Sequence, residues 1–219
     1  MFDLEKEFLY DLSKEVKTGT TVMAVTFKDG VIIAADSRTS SGSYAVNRVT
    51  DKLTPVHDQI YCLRSGSAAD TQIISSYVSY YTNMFSIEEG SQPTVKKAAH
   101  MFREFLYQNK QYLHAAIICA GWDPIDGGSV YSLPLGGSIV KQPFATGGSG
   151  STYLYGYCDM NFKENMTEEE AEKFVTYGIT EAIARDGGSG GIVRKAIIDK
   201  NGVRRKTVYG NKLKKFWEK

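Results

Sequence analysis

Two continuous apolar stretches separated by a short polar turn dominate the first part of the chain. Val22-Met23-Ala24-Val25 and Val31-Ile32-Ile33-Ala34-Ala35 are uninterrupted by charge, and Lys28-Asp29-Gly30 lies between them. Short apolar runs joined through an Asp-Gly turn are typical of buried strands in a β-hairpin. The pattern therefore predicts a hairpin whose strands occupy residues 21–28 and 31–37.

The middle and the end of the chain also contain stretches with helical spacing. Apolar positions at three- and four-residue intervals predict helices over 67–85, 93–109 and 167–185, and the last begins with a capping box in which Glu170 follows Thr167. The remaining pattern predicts a short helix over 151–158 and strands over 60–63, 113–122, 129–135, 138–146, 192–199 and 203–209. Grouped strands and grouped helices predict an α+β fold in which helix layers cover antiparallel sheets. No repeat or linker divides the chain, which predicts a single domain.

Residues 1–19 form a charged segment that differs from the apolar body of the chain. An apolar residue recurs at every fourth position, at Leu4, Phe8, Leu12 and Val16. This spacing predicts an amphipathic helix, while the acids and the lack of a continuous apolar core argue against a targeting peptide. The segment ends where Gly19 meets Thr20, directly before the first strand. One interpretation is a propeptide removed by cleavage between Gly19 and Thr20; the other is an ordinary N-terminal helix packed on the body.

Cleavage at that bond would place a nucleophile and a base on one residue. A threonine hydroxyl attacks a carbonyl poorly unless another group accepts its proton. An α-amine has a pKa of about 7.7–8.0, against about 10.4 for a lysine side chain, so a sizeable share of α-amines is unprotonated near neutral pH. While Gly19 remains attached, the Thr20 nitrogen is an amide and cannot act as a base. The sequence therefore predicts an inert precursor and an active form that begins at Thr20.

The composition is that of an ordinary globular protein and favours neither a nucleic-acid nor a membrane surface. The 219 residues carry a formal net charge of +1, and no apolar run approaches the roughly 20 residues needed to cross a bilayer. Cys62, Cys119 and Cys158 form no CxxC pair, so a disulfide framework is not expected and a reducing compartment is favoured. His57 and the other two histidines lack metal-binding spacing, and no phosphate-binding glycine loop occurs. Neither a metal nor another cofactor is therefore expected.

Six short blocks, in order along residues 20–210, carry a resemblance to a known family. They are Thr20-Thr21-Val22-Met23-Ala24-Val25, Ala34-Ala35-Asp36-Ser37-Arg38, Thr50-Asp51-Lys52, Arg64-Ser65-Gly66-Ser67-Ala68-Ala69-Asp70, Gly148-Ser149-Gly150-Ser151 and Asp186-Gly187-Gly188-Ser189-Gly190-Gly191. Together they resemble the catalytic beta subunits of the eukaryotic 20S proteasome, most closely the caspase-like type, which cleaves after acidic residues. The resemblance implies the four-layer αββα sandwich of the N-terminal nucleophile hydrolases, with two antiparallel sheets between helix layers. It also implies that residues 1–19 are a propeptide and that residues 20–219 form one catalytic domain.

The resemblance assigns chemistry to individual residues. Thr20 would be the nucleophile, with its freed amine as proton acceptor, directly or through a water. Lys52 would remain charged beside the hydroxyl and lower its pKa, and Asp36 would hold Lys52 in place. The backbone N–H of Gly66 would stabilise the tetrahedral oxyanion. Taken alone, each has an ordinary alternative: a surface ion pair for Asp36, a solvated charge for Lys52 and a turn for Gly66.

Further positions concern the new amine and the substrate pocket. Three residues would hydrogen-bond around the amine and fix its position: Ser149, Asp186 and Ser189. Arg64 would line the pocket for the residue before the cut bond, where a guanidinium would bind a glutamate or aspartate side chain. Thr39 and Thr50 would line the same pocket and leave room for that side chain. The alternative for Arg64 is that it ends a strand and pairs with a neighbouring acid.

The resemblance also implies partners and a cellular location. The family forms heptameric alpha and beta rings stacked in a barrel, which takes in unfolded polypeptides and binds regulatory particles in the cytoplasm and nucleus. The basic and aromatic tail, residues 212–219, would dock on a neighbouring subunit or remain solvated. The competing functional class is a non-catalytic ring subunit, which would be expected to lack the terminal threonine or the lysine.

Overall fold

The computed structural model describes residues 19–41 and 44–213. The helix predicted within residues 1–19 and the tail from residue 214 onward lie outside the described residues. In chain order, the strands are β1 (Val22–Phe27), β2 (Gly30–Ala35), β3 (Thr39–Ser41), β4 (Tyr44–Asn47), β5 (Leu53–His57), β6 (Ile60–Gly66), β7 (Ala115–Asp123), β8 (Gly127–Leu133), β9 (Val140–Lys141), β10 (Phe144–Gly147), β11 (Val193–Asp199) and β12 (Gly202–Val208). The helices are α1 (Ala68–Glu89), α2 (Val95–Gln108), α3 (Tyr155–Asn161) and α4 (Glu168–Arg185), with 3-10 turns at Ser149–Tyr153 and Gly210–Lys212.

Two five-stranded antiparallel sheets form the centre of the fold. The strand order is β10-β1-β2-β11-β12 in the first sheet and β5-β6-β7-β8-β9 in the second. Side chains from both sheets share one buried cluster, to which the first contributes Val22, Ala24 and Ile33 and the second Leu63 and Ile118. Each strand turns alternate residues toward the opposite sheet, so the apolar runs of the sequence fill the space between the two sheets.

Helices cover the outer face of each sheet. On the first sheet, Met23 of β1 shares a buried cluster with Val175 of α4. On the second sheet, Ile117 of β7 shares a cluster with Ile74 of α1 and Phe102 of α2. Burying a side chain of this size contributes about 1.5–3 kcal/mol, so these contacts hold the helix layers in place. The result is a four-layer αββα sandwich, and the predicted fold class is confirmed.

Side-chain caps set the beginnings of the three longer helices, α1, α2 and α4. Ser67 accepts a hydrogen bond from the first turn of α1, and Thr167 forms a complete capping box with Glu170 at the start of α4. The helix predicted over 93–109 begins two residues later than expected, because Thr94 is its cap. Local capping chemistry thus explains why the helix predictions are close to the observed bounds.

The differences from prediction concern short polar strands. The apolar pattern does not predict β3, β4 or β5, which are stabilised by pairing with neighbouring strands. The single strand predicted over 138–146 is two strands, β9 and β10, in different sheets. Pro143, which lacks a backbone N–H, lies just before β10. The helix predicted over 151–158 is divided into a 3-10 turn and α3.

Candidate active site

The residues singled out by the sequence meet where strands of both sheets begin or end. Thr20 lies two residues before β1 and Asp36 directly follows β2. These strands are paired with Val22 opposite Ala35, so Thr20 and Asp36 lie at the same edge of the first sheet. Lys52 directly precedes β5 of the second sheet. The two sheets therefore supply this group of residues jointly.

Lys52 connects Asp36 to Thr20. Its Nζ atom lies 2.6 Å from Oδ1 of Asp36, 3.1 Å from Oγ1 of Thr20 and 3.4 Å from the carbonyl oxygen of Gly19. The Thr20 hydroxyl donates to that same carbonyl oxygen at 2.7 Å. The Lys52 side chain is 6% exposed and that of Asp36 is 0% exposed. The buried ion pair therefore directs the ammonium toward the threonine oxygen instead of toward solvent.

Asp36 is anchored by the backbone as well as by Lys52. Its carboxylate accepts hydrogen bonds from the N–H groups of Thr21 at 2.9 Å, Arg38 at 3.1 Å and Gly190 at 3.0 Å. Hydrogen bonds to a charged acceptor are stronger than those between neutral groups. Because three backbone donors hold the carboxylate, its position is fixed, and it fixes the position of the lysine.

Burial lowers the pKa of Lys52 from its ordinary value, because the ammonium loses hydration. The Asp36 carboxylate opposes this shift by attraction and hydrogen bonding, and the charge of Asp186 opposes it more weakly. The positive charge of Arg64 lowers the pKa of Lys52 slightly further. Arg64 is therefore close enough to act electrostatically on the group around Thr20.

A second set of side chains surrounds the Thr20 backbone nitrogen. That nitrogen donates to Oγ of Ser149 at 3.1 Å, and Ser149 Oγ donates to Oδ2 of Asp186 at 2.7 Å. The Ser189 hydroxyl donates to the same carboxylate oxygen at 2.6 Å and also lies 2.6 Å from Oγ1 of Thr21. Ser149 thus contacts the nitrogen of Thr20 directly and Asp186 supports Ser149 from behind, whereas Ser189 contacts the hydroxyl of Thr21.

The peptide bond between Gly19 and Thr20 is buried within this group. The Gly19 N–H donates to Oγ of Ser40 at 2.8 Å. Gly19 also packs directly on Gly188, and a Cβ atom added at residue 19 would collide with the Gly188 backbone. Glycine is therefore the residue that fits at position 19 without a shift of the neighbouring loop.

Gly66 lies at the end of β6, directly before the Ser67 cap of α1. Its φ of 100° is rarely adopted by other residues, and a Cβ atom there would collide with the His114 carbonyl oxygen. The need for glycine at this position therefore has a cause within the chain itself. Gly66 is exposed, so a peptide can reach its backbone.

The three residues expected from the sequence to line a pocket lie on segments adjacent to Lys52. Oγ1 of Thr39 and Oγ1 of Thr50 are 2.8 Å apart. Arg64 lies within β6, two residues before its last, and its Nη2 donates to the backbone carbonyl of Asp51 at 3.2 Å. Its buried Nε makes no hydrogen bond to the described part of the chain. The guanidinium forms no ion pair with an acid among the described residues, so the alternative of a neighbouring acidic partner is not observed.

The cysteines are poorly suited to act as nucleophiles. Burial raises the pKa of the Cys62 thiol to about 11 and that of Cys158 to about 12, and it also raises the pKa of Cys119. Since the thiolate is the reactive form, these buried thiols are unreactive near neutral pH.

Residues 19–41 and 44–213 contain neither a candidate metal cluster nor a helix suited to cross a membrane. Within these ranges, no three His, Cys, Asp or Glu side chains lie close enough together to share a metal ion. None of the helices there combines the length and apolar character that crossing a bilayer requires.

Comparison with known proteins gives one consistent family. The family model for proteasome subunits matches residues 16–198. The chain is 58% identical to proteasome subunit beta type-6 of Dictyostelium discoideum, over 94% of this chain and 97% of that relative. This chain belongs to the proteasome beta-subunit family. It is also 53% identical to proteasome subunit beta type-1 of Saccharomyces cerevisiae, over 89% and 90% of the two chains, and 46% identical to proteasome subunit beta type-9 of Oryzias latipes, over 94% and 95%.

Proteasome beta subunits assemble with other alpha and beta subunits into the 20S core, and these subunits are the partners of this chain. Two residues that contact this group, Thr21 and Ser40, have no role predicted from the sequence. The apolar pattern predicts Thr21 only as the beginning of the first strand. Ser40 lies in a polar stretch that carries no periodic signal, so its contact with Gly19 appears only in three dimensions.

Proposed function

We propose that this chain is a catalytic proteasome beta subunit, a threonine endopeptidase whose nucleophile is Oγ1 of Thr20. The observation that carries the proposal is the 3.1 Å contact between Nζ of Lys52 and Oγ1 of Thr20, with Asp36 paired to the lysine. A cation beside a hydroxyl favours its alkoxide form and so promotes attack on a carbonyl.

The first reaction would release residues 1–19. The Thr20 hydroxyl attacks the carbonyl carbon of Gly19, the C–N bond of that peptide breaks, and the proton of the hydroxyl is transferred to the leaving nitrogen. The product is an ester between Gly19 and Oγ1 of Thr20, which water hydrolyses to a free Gly19 carboxylate and the original hydroxyl. The 2.7 Å contact of the Thr20 hydroxyl with the Gly19 carbonyl oxygen supports this step.

The same hydroxyl would then attack substrate peptides. The freed Thr20 amine, with an ordinary pKa of about 7.7–8.0, accepts the hydroxyl proton. Such general-base assistance typically contributes about 10²–10⁴ in rate. Attack forms an acyl ester on Thr20 and releases the C-terminal product as an amine, and water then releases the N-terminal product as an acid. Ser149, already 3.1 Å from the nitrogen, and Asp186 behind it would keep the amine in place.

The backbone N–H of Gly66 would stabilise the oxyanion that forms during this attack. One donor of this kind can contribute roughly 2.7–4 kcal/mol to the transition state. The exposure of Gly66 and its position two residues after Arg64 on β6 support the assignment. The carbonyl of a bound residue would then face Gly66 while its side chain faces Arg64 on the same strand.

Substrate preference would be set by Arg64. Its guanidinium has no acidic partner in the described chain and retains a buried Nε that makes no hydrogen bond there. A guanidinium can bind a carboxylate through two parallel hydrogen bonds, so cleavage after glutamate or aspartate is favoured. Thr39 and Thr50 would line the same pocket, with their hydroxyls already paired to each other.

A non-catalytic ring subunit is the competing function. Burying an ion pair is costly, and well-packed apolar residues at such positions are often equally stable or more so. A scaffold therefore gains little from a buried Lys52 whose ammonium contacts a threonine hydroxyl. As a catalytic subunit, the chain would act on unfolded polypeptides in the cytoplasm and nucleus, in particles that bind regulatory complexes.

The nucleophile can be tested by labelling assembled particles with an electrophilic peptide that carries glutamate before its reactive group. Mass spectrometry should find the adduct on Thr20 of a chain that begins at Thr20. In a Thr20→Ala variant the adduct should disappear and residues 1–19 should remain attached, whereas Thr207→Ala, at an exposed threonine of β12, should change neither result. Labelling at another residue of this chain, or normal removal of residues 1–19 from Thr20→Ala, would contradict the proposal.

A further inference from the structure

The Gly19 backbone is fixed from several sides. Its N–H donates to Oγ of Ser40 at 2.8 Å, and its Cα packs on the Gly188 backbone. Its carbonyl oxygen accepts from Oγ1 of Thr20 at 2.7 Å and from Nζ of Lys52 at 3.4 Å. A glycine has no side chain with which neighbouring residues could orient it, so these backbone contacts determine the direction of its carbonyl.

The hydroxyl of Ser40 is a specific feature of strand β3. Ser40 is 5% exposed, and the pairing of β3 with β4 shifts register between Thr39 and Ser40. Such a shift marks a bulge, and bulges redirect side chains away from regular alternation. Thr39 contacts Thr50, while Ser40 contacts the backbone of Gly19. The two adjacent hydroxyls at the bulge, those of Thr39 and Ser40, therefore have different partners.

We propose that Ser40 is a positioning residue for the self-cleavage of the Gly19–Thr20 bond and that its hydroxyl has no role once that bond is cut. The inference rests on the proposed self-cleavage. By accepting a hydrogen bond from the Gly19 N–H, the Ser40 hydroxyl fixes the plane of the peptide unit that precedes Gly19. This restrains rotation about the Gly19 backbone and keeps the carbonyl carbon within reach of the Thr20 hydroxyl.

The energetic consequence falls on the precursor alone. Without the hydroxyl, the buried Gly19 N–H loses its acceptor and the Gly19 carbonyl gains freedom to turn away from Thr20. Orientation of reacting groups contributes strongly to rates when both belong to one chain. After cleavage, Gly19 departs with residues 1–19, so the contact no longer exists and the hydroxyl has no remaining task in turnover.

The test uses assembled particles that carry the full chain with Ser40→Ala. Removal of residues 1–19 is followed over time by intact mass, and kcat/KM for a glutamyl peptide is then measured per site labelled at Thr20. We expect removal to slow by about two- to tenfold, the range for losing one hydrogen bond, with kcat/KM of the processed particles within about twofold of the unmodified protein. Ser129→Ala is the matched control, because Ser129 Oγ is buried and makes no hydrogen bond to the described part of the chain.

A second pair of variants separates the hydroxyl from the packing of the strand. Ser40→Thr retains the acceptor oxygen, and Ser40→Val has the shape of the threonine variant without that oxygen. Processing should be faster in Ser40→Thr than in Ser40→Val by a similar two- to tenfold factor. Two results would overturn the role of Ser40 while leaving the proposed function intact. One is an equal processing rate in Ser40→Thr and Ser40→Val; the other is a loss of kcat/KM in the processed forms as large as the loss of processing rate. Normal processing of Thr20→Ala would instead refute the self-cleavage itself.

Discussion

Nζ of Lys52 lies 2.6 Å from Oδ1 of Asp36 in a setting where neither side chain is appreciably exposed. The carboxylate is held in turn by three backbone N–H groups, so the lysine is positioned by the ends of the strands themselves. Such a pair is sensitive to the loss of either partner, because the remaining charge is left buried without compensation.

Replacing Asp36 with asparagine should therefore damage both stability and activity. Asn cannot supply the negative charge, so Lys52 would be buried unpaired, at a cost of about 3–5 kcal/mol in the free energy of unfolding. Denaturant unfolding of assembled particles would measure the loss, and peptidase assays should show activity reduced at least tenfold. The control is Asp159→Asn on an exposed position of α3, which should be neutral. Unchanged stability in Asp36→Asn would show that the pair does not hold this part of the site together.

Activity should depend on pH through two groups with opposite requirements. The Thr20 amine must lose its proton to act as a base, so kcat/KM should rise through about pH 7.7–8.0. Lys52 must keep its proton, and because burial lowers its pKa, activity should fall at a pH below the ordinary lysine range. Initial rates of a glutamyl peptide across this range would define both limbs. An alkaline limb at or above the pKa of an ordinary lysine would contradict a buried, charged Lys52 as the required group.

Arg64→Gln should remove the preference for acidic residues. Losing a charged hydrogen-bond donor typically costs about 1.5–3 kcal/mol, so kcat/KM for glutamyl and aspartyl peptides should fall roughly ten- to a hundredfold. Peptides with an aromatic residue before the cut bond should be affected much less. Arg103→Gln, at a partly exposed position of α2, provides a comparison with the same change of charge. If both classes of peptide lose activity equally, Arg64 supports the site in general instead of selecting the substrate.

Gly19→Ala should delay maturation without impairing the mature enzyme. The added Cβ would collide with the backbone of Gly188, so the Gly19 carbonyl must move relative to the Thr20 hydroxyl. A displacement of about 1 Å can reduce a rate on the order of a hundredfold. Intact mass over time would show the delay, and Gly156→Ala, where a Cβ meets no atom within 4 Å, is the matched control. Maturation of Gly19→Ala at the normal rate would show that the contact with Gly188 does not constrain the cleavage.

Much of the fold could be predicted because its signals are local. The apolar runs beginning at Val22 and Val31 specify the central hairpin, and the Thr167–Glu170 capping box specifies the start of α4. The strands β3, β4 and β5 could not be predicted in this way. Their residues alternate weakly, and β5 owes its conformation to antiparallel pairing with β6.

The site residues likewise fall into those that local sequence patterns bring together and those that tertiary packing brings together. The pairing of β1 with β2 brings Thr20 near Asp36, and this hairpin is visible in the sequence. The approach of Lys52 and Arg64 to Thr20 depends on how one sheet packs on the other, which the pattern of apolar residues does not indicate. Only the family resemblance predicts roles for these two positions. The contact of Ser40 with Gly19 depends on a bulge, and bulges of this kind have no signature in the run of polar residues from which β3 forms.

The tight packing of Gly19 against Gly188 has an evolutionary consequence. The chain's own bond would be selected by steric confinement, whereas foreign peptides would be sorted by the charge of Arg64. Mutations that change the cleavage preference would then leave the fit of Gly19 against Gly188 unchanged. A duplicated gene could therefore acquire new substrates while its product still removed its own residues 1–19.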